Sequence, residues 1–156
     1  MQMHEIEQVR RVYEIGKNDF LVYAVTLTHD LESAEDIVHA VFERLLRKQR
    51  LPRECRPYVF RAIRNAALDA RRRNKVREDG ALPLAPPNEA ANPLLQLQVR
   101  EALAVLEEDE REVIVLKLYT GLSFKEIAEV RGVPQSTASS WYYRALEKLR
   151  PLLGGE

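Results

Sequence analysis

The sequence predicts an all-α protein made of two small helical domains joined by a linker. Three observations carry this. Apolar residues recur at helical spacing with no convincing two-residue alternation. A proline-rich acidic stretch interrupts that pattern at residues 78–93. Helix-start and helix-stop signals bracket two short segments near the C-terminus. With 156 residues in all, each domain can bury only a modest core.

In order along the chain, Ile6, Val9 and Tyr13 share one face of a first helix, and Phe20, Tyr23, Ala24 and Leu27 mark a second, with Asp19 near its start. Asp30 is placed to cap a third, and Glu32, Glu35 and Asp36 lie near the positive end of its dipole. Ile37, Val38, Val41, Phe42 and Leu45 are its buried stripe. Beyond a polar turn containing Pro52, Pro57 suits the first turn of a fourth helix with the stripe Val59, Phe60, Ile63, Ala66, Ala67 and Ala70. These elements form a domain over 1–77. After the linker, 94–156 forms the second domain. Leu94, Leu97, Ala102, Leu103 and Leu106 open a helical unit that Val113, Leu116 and Leu118 continue and Gly121 stops.

The formal net charge is zero, but the charges are segregated. Residues 44–77 carry 13 basic and 2 acidic side chains, whereas residues 78–112 carry 2 basic and 9 acidic. So concentrated a cationic segment in a neutral chain indicates a polyanion-binding surface. Catalytic classes fare poorly. His4, His29 and His39 lack metal-ligand spacing, and no glycine-rich phosphate loop is present. Cys55 has no histidine nearby in sequence; Arg53 and Arg56 could lower its thiol pKa, though a structural cysteine is the simpler reading. No enzyme activity, metal or cofactor is expected. A single cysteine, no long apolar run and the polar start MQMHEIEQVRR predict a cytoplasmic protein that does not insert into membranes.

The segment SFKEIAEVRGVPQSTASSWYYRALEKL reads as helix, glycine turn, helix. Ser123 and Glu126 stand at capping-box spacing, Gly132 stops the helix, and the next begins near Pro134 or Gln135. On a wheel, Ala138, Tyr142, Ala145, Leu146 and Leu149 face the core. Ser136, Ser140, Tyr143 and Glu147 lie opposite, with Thr137 and Arg144 on one flank and Trp141 between the two sides. Small polar residues at the start of such a helix let its backbone approach a major groove, where Gln135, Ser139 and Arg144 could donate to bases or phosphates.

FKEIAEVRGVPQSTASSWYYRALEKLR resembles the region 4 helix-turn-helix of bacterial sigma-70-family factors, which reads the −35 promoter element. SAEDIVHAVFERLL and PYVFRAIRNAALDARRRNKVR are similar to region 2 of the same family. Two regions in this order, with a linker and little else, resemble the extracytoplasmic-function group. The resemblance implies an alternative sigma factor that binds core RNA polymerase and directs promoter recognition, −10 melting and initiation. It implies docking on the clamp of the largest subunit through Asp36, Ile37, His39, Ala40 and Glu43, and a contact with the flap of the second-largest subunit. The −10 element would be met by the Arg47–Arg73 stretch, with Arg50, Arg53, Arg56, Tyr58, Arg61, Arg64, Asn65 and Arg72 as contacts and Phe60 beside them as a further aromatic for unstacked bases. The −35 element would be met by Gln135, Ser136, Ser139, Ser140, Tyr143 and Arg144. The linker would lie in the polymerase RNA path, a separate anti-sigma factor would cover both domains, and the free chain would be a monomer.

Two departures from the family pattern stand out. His39-Ala40 replaces the usual Gln-Glu of the clamp-binding helix, and Ser140-Trp141 replaces a common Ser-Arg in the recognition helix. Trp141 could pack at the domain edge or stack at the DNA backbone. Two alternatives therefore stay open: a stand-alone helix-turn-helix regulator, and a sigma-like protein that acts by protein contacts alone.

Overall fold

The computed structural model describes residues 2–74 and 93–152, with side chains for 2–73 and 99–152. The predicted linker at 78–93 falls outside these residues, apart from Pro93. Among the described residues there are seven α-helices and one π-helical segment, and no strand. The chain divides into two compact units, Met1–Gly80 and Ala81–Glu156.

The first unit packs three helices, α1 (Met3–Thr28), α2 (Leu31–Leu46) and α3 (Cys55–Asn74). The two N-terminal helices expected from the sequence are one helix of 26 residues. Gly16 sits buried inside it, where a Cβ would come within 2.8 Å of the Phe20 ring. That contact lets Phe20 lie against the backbone of its own helix and serve as the hub of the core. Its ring centroid lies 4.9 Å from Phe60 and 5.4 Å from Phe42, and Tyr23 meets Phe60 at 5.6 Å. The two Phe60 pairs are edge-on, and such pairs add to the burial energy of the rings themselves. Val9, Leu27, Leu45, Val59 and Ile63 complete the core, whereas Ile6 is 40% exposed and lies outside it.

The turn between α1 and α2 forms as its sequence implies. His29 takes the left-handed conformation (φ 59°), its N–H donates to Val25 O at 2.8 Å, and Asp30 caps α2 by accepting from Ser33 N–H at 3.2 Å. Two long-range contacts tie down the polar turn before α3. Leu51 N–H donates to Glu5 Oε2 at 3.0 Å, and Arg56 Nη2 donates to Asp19 Oδ2 at 2.9 Å.

The second unit contains α4 (Pro93–Ala104), α5 (Glu108–Ile114), the π-helical Val115–Tyr119, α6 (Phe124–Arg131) and α7 (Gln135–Leu149). The unit expected to run on to Gly121 is broken after α4. The reason is local: Glu107 and Glu110 form a reciprocal capping box that starts a new helix. Arg111 reaches back to donate to Leu103 O at 3.1 Å, at the end of α4, and to Leu106 O at 3.0 Å in the turn that follows. Leu118 is 59% exposed rather than part of the core, because two residues after the buried Leu116 it falls on the opposite side of the helical turn. Ala102, Leu106, Ile114, Ala145 and Leu149 form one apolar cluster flanked by Tyr142 and Leu146.

Candidate nucleic-acid interfaces

In the second unit, the helix-turn-helix follows its sequence signals closely. Ser123 Oγ accepts from Glu126 N–H at 3.1 Å while the Glu126 carboxylate accepts from Ser123 N–H at 2.9 Å. Gly132 closes α6 at φ 66°, a conformation that carries no steric penalty only for glycine. Val133 N–H then donates to Ala128 O at 3.1 Å, and Pro134 stands immediately before α7. Ala138, Ala145 and Leu149 are buried on the inner face of α7.

Gln135, Ser136, Ser140, Tyr143 and Arg144 are exposed along the outer face of α7, and Ser139 is half-buried at its edge. Tyr143 is 59% exposed but held in place by Tyr142 at 5.2 Å and Phe124 at 6.3 Å. Trp141 is half-buried, with the Arg131 guanidinium 4.7 Å above its ring, so it packs at the edge of the unit. Close behind this face lies a fully buried acid, Glu110. Burial pushes its carboxyl pKa up, but hydrogen bonds from Lys148 Nζ (2.7 Å) and Glu107 N–H (2.9 Å), with the fields of Lys148 and Arg144, outweigh that and hold it below the ordinary carboxylate range.

In the first unit, α3 and the turn before it carry the cations. Arg61, Asn65 and Arg72 share an exposed face of α3, with Arg72 3.8 Å from Asp69, and Arg64 is half-buried at the flank. Arg50 and Arg53 are exposed in the turn. Arg56 is a different case: it is bound to Asp19 and lies over the Phe60 ring at 5.2 Å, which makes it part of the packing. Phe60 is fully buried, so it belongs to the core and cannot serve as a stacking platform. Tyr58 is half-buried with Lys48 Nζ 5.0 Å from its ring, and so offers an aromatic face beside a cation.

On α2, Asp36, His39, Ala40 and Glu43 form one exposed row, with Glu43 3.8 Å from Arg47. Ile37 is buried, because its side chain is turned toward α1 and α3 with the rest of the apolar stripe. Of the five docking residues expected on α2, four are therefore on the surface and one is core.

Sequence reading missed a groove of about 390 Å³ between α1, the turn at 51–53 and the start of α3. Val12, Ile15 and Leu51 supply apolar walls, and Arg11 and Arg53 supply cations at the groove. Arg11 gave no sequence signal, because it comes from a helix far from the basic segment. Cys55 borders the same groove half-buried, and desolvation pushes its thiol up rather than letting the neighbouring arginines lower it. Among the described residues no cluster of His, Cys, Asp or Glu is placed to hold a metal ion. No helix among them is long and apolar enough to cross a membrane.

Comparison with known families places both units. Residues 13–77 match sigma-70 region 2, and residues 96–149 match sigma-70 region 4. The RNA polymerase sigma factor CarQ of Myxococcus xanthus is 35% identical over 130 residues, spanning 78% of this chain and 75% of the relative. The chain belongs to the extracytoplasmic-function group of the sigma-70 family. A second relative, the ECF RNA polymerase sigma factor SigL of Mycobacterium tuberculosis, is 32% identical over 160 residues and covers 94% of this chain and 89% of its own. Among solved structures, the sigma factor RpoE in complex with the anti-sigma factor NepR from Bartonella quintana shares the fold with a TM-score of 0.75. Its identity is 24%, and the match covers 95% of this chain and 98% of that one. CnrH, solved with the cytosolic domain of CnrY, gives a TM-score of 0.68 at 23% identity over 94% of this chain and 87% of that one. The protein is an alternative sigma factor that directs transcription initiation, in a family of non-enzymatic transcription factors. The region 2 match over residues 13–77 sets aside the stand-alone regulator, which has no use for such a unit.

Proposed function

We propose that this sigma factor divides promoter recognition between its two units and catalyses nothing itself. The first unit binds the polymerase clamp through Asp36, His39, Ala40 and Glu43. It meets the −10 strand with Arg50, Arg53, Tyr58, Arg61, Arg64, Asn65 and Arg72. The groove walled by Val12, Ile15 and Leu51, with Arg11 and Arg53 for a phosphate, accepts an unstacked base. The second unit touches the polymerase flap and reads the −35 duplex with Gln135, Ser136, Ser139, Ser140, Tyr143 and Arg144. The linker at 78–93 runs in the polymerase RNA path. The chain is cytoplasmic, as core polymerase is, and monomeric when free. It is held inactive by an anti-sigma factor; the similar sigma factor RpoE of Bartonella quintana is in complex with the anti-sigma factor NepR, which supports this reading.

The observation that carries this reading is the exposed Arg61–Asn65–Arg72 face on α3, within a segment of 13 basic and 2 acidic side chains. Such a face supplies salt-dependent affinity for a phosphate backbone. The test is size-exclusion chromatography of the purified chain with bacterial core RNA polymerase, followed by transcription from a promoter library. Stoichiometric co-elution and transcripts from a shared promoter pattern are expected. Separate elution in the absence of any anti-sigma factor would overturn the clamp assignment, and His39-Ala40 would then be the first positions to restore to Gln-Glu.

A further inference from the structure

Arg131 is the last residue of α6, and its guanidinium is where three helices meet. Nη2 donates to Asp109 Oδ1 at 2.6 Å, and Nη1 lies 3.6 Å from Glu112 Oε2, both on α5. The other side of the group is covered by the Trp141 ring of α7 at 4.7 Å. The Arg131 side chain is only 7% exposed and that of Glu112 only 3%. A planar guanidinium suits this site, since it pairs with acids at its edge while stacking on an aromatic ring with its face. Its position at the C-terminus of α6 places the positive charge at the negative end of that helix dipole.

Trp141 stands where the family commonly has arginine, next to Ser140 and one turn before Arg144. The side chain there brings no cation to the DNA backbone; it receives one from the neighbouring helix. We propose that Arg131 and Trp141 are positioning residues for −35 recognition. Together they fix the rotation and tilt of α7 against α5 and α6, and so the approach of Gln135, Ser136, Ser140 and Arg144 to the major groove. Neither touches the DNA. The proposal rests on the reading of α7 as the −35 reader. It explains how a recognition helix can lose a phosphate-binding cation and keep a defined pose: the interaction is moved from the protein–DNA interface to the support behind it.

The test uses the full chain, alone and bound to core polymerase, with R131M, W141A, the double variant and W141F. Two quantities are measured: amide hydrogen exchange along α7 in the free chain, and −35 discrimination by the holoenzyme. Discrimination is the ratio of transcription from the −35 hexamer that the wild type prefers in a randomised library to that from a scrambled hexamer. R131M and W141A should each speed exchange in α7 and cut discrimination about tenfold. The double variant should be no worse than either single one, as expected of residues that act as a unit. W141F, which keeps an aromatic face, should recover most of the ratio. Unchanged exchange in R131M would overturn the Arg131–Trp141 support. Faster exchange with undiminished discrimination would reduce it to a stability element and overturn the positioning role. A salt dependence shallower by about 1 in R131M would make Arg131 a direct phosphate contact and also overturn it. A wild-type holoenzyme that shows no −35 preference would overturn the reading of α7 itself, a failure seen before any variant is compared.

Discussion

The two units place their charges in opposite ways. In the first, the core is aromatic and aliphatic, centred on Phe20, Phe60 and Tyr23, and the arginines of α3 stand mostly in solvent. In the second, short helices leave less apolar surface to share, and charged groups enter the interior: Glu110 and Glu112 are buried, and Arg131 nearly so. Exposed cations are cheap to keep and give affinity for any phosphate backbone. Buried ion pairs add little net stability, yet they restrict how helices can sit against one another. The first unit is thus suited to gripping a strand, and the second to holding one helix in a single pose.

The sharpest way to break this contrast is to empty the first core. Phe20→Ala should cost about 3–5 kcal/mol in the unfolding of that unit, read from the urea midpoint by far-ultraviolet circular dichroism. The only tryptophan, Trp141, lies in the second unit, so its fluorescence follows that unit separately. A matching shift in the tryptophan signal would show that the two units unfold as one.

The buried charges of the second unit are tested next. Lys148→Met leaves Glu110 desolvated without its ammonium partner and should cost roughly 2 kcal/mol in the Trp141-detected transition. The same acid gives that unit a pH dependence. Its folded pKa is lowered, so its contribution is present above the unfolded value near about 4.3 and is lost as pH falls through the lower folded value. Melting followed by Trp141 from pH 7 to pH 3 should show this acid-side loss, and Glu110→Gln should remove that component.

Smaller effects sharpen the comparison. Arg61→Ala with Arg72→Ala should lower the salt slope of holoenzyme binding to single-stranded −10 DNA by about 1.4 while leaving −35 discrimination intact. Gly132→Ala meets no steric neighbour, so its cost is the positive φ alone, about 1 kcal/mol in the Trp141 transition.

Much of this was legible along the chain because the signals were local. Asp30, Ser123 with Glu126, Gly132 and the α7 stripe act over three or four residues, and each formed the element it announced. The outer face of α7 and the Arg61–Asn65–Arg72 face of α3 followed from the same periodicity. The family was legible as well, since two separate patterns stood in the right order. Only the tertiary structure could decide matters that depend on what lies across from a residue. The sequence pattern suggests two N-terminal helices where there is one, and the Gly16 position against which Phe20 packs is visible only in the folded chain. Phe60 and Arg56 stand in the basic segment proposed to meet DNA, yet packing against α1 makes both structural. Arg131 and Trp141 are ten positions apart on different helices, and their pairing with α5 exists only once the three helices have met. Periodicity specifies which side of a helix is apolar; it carries no information about the partner that side will find, and that partner determines which charges are free to bind DNA and which hold the protein together.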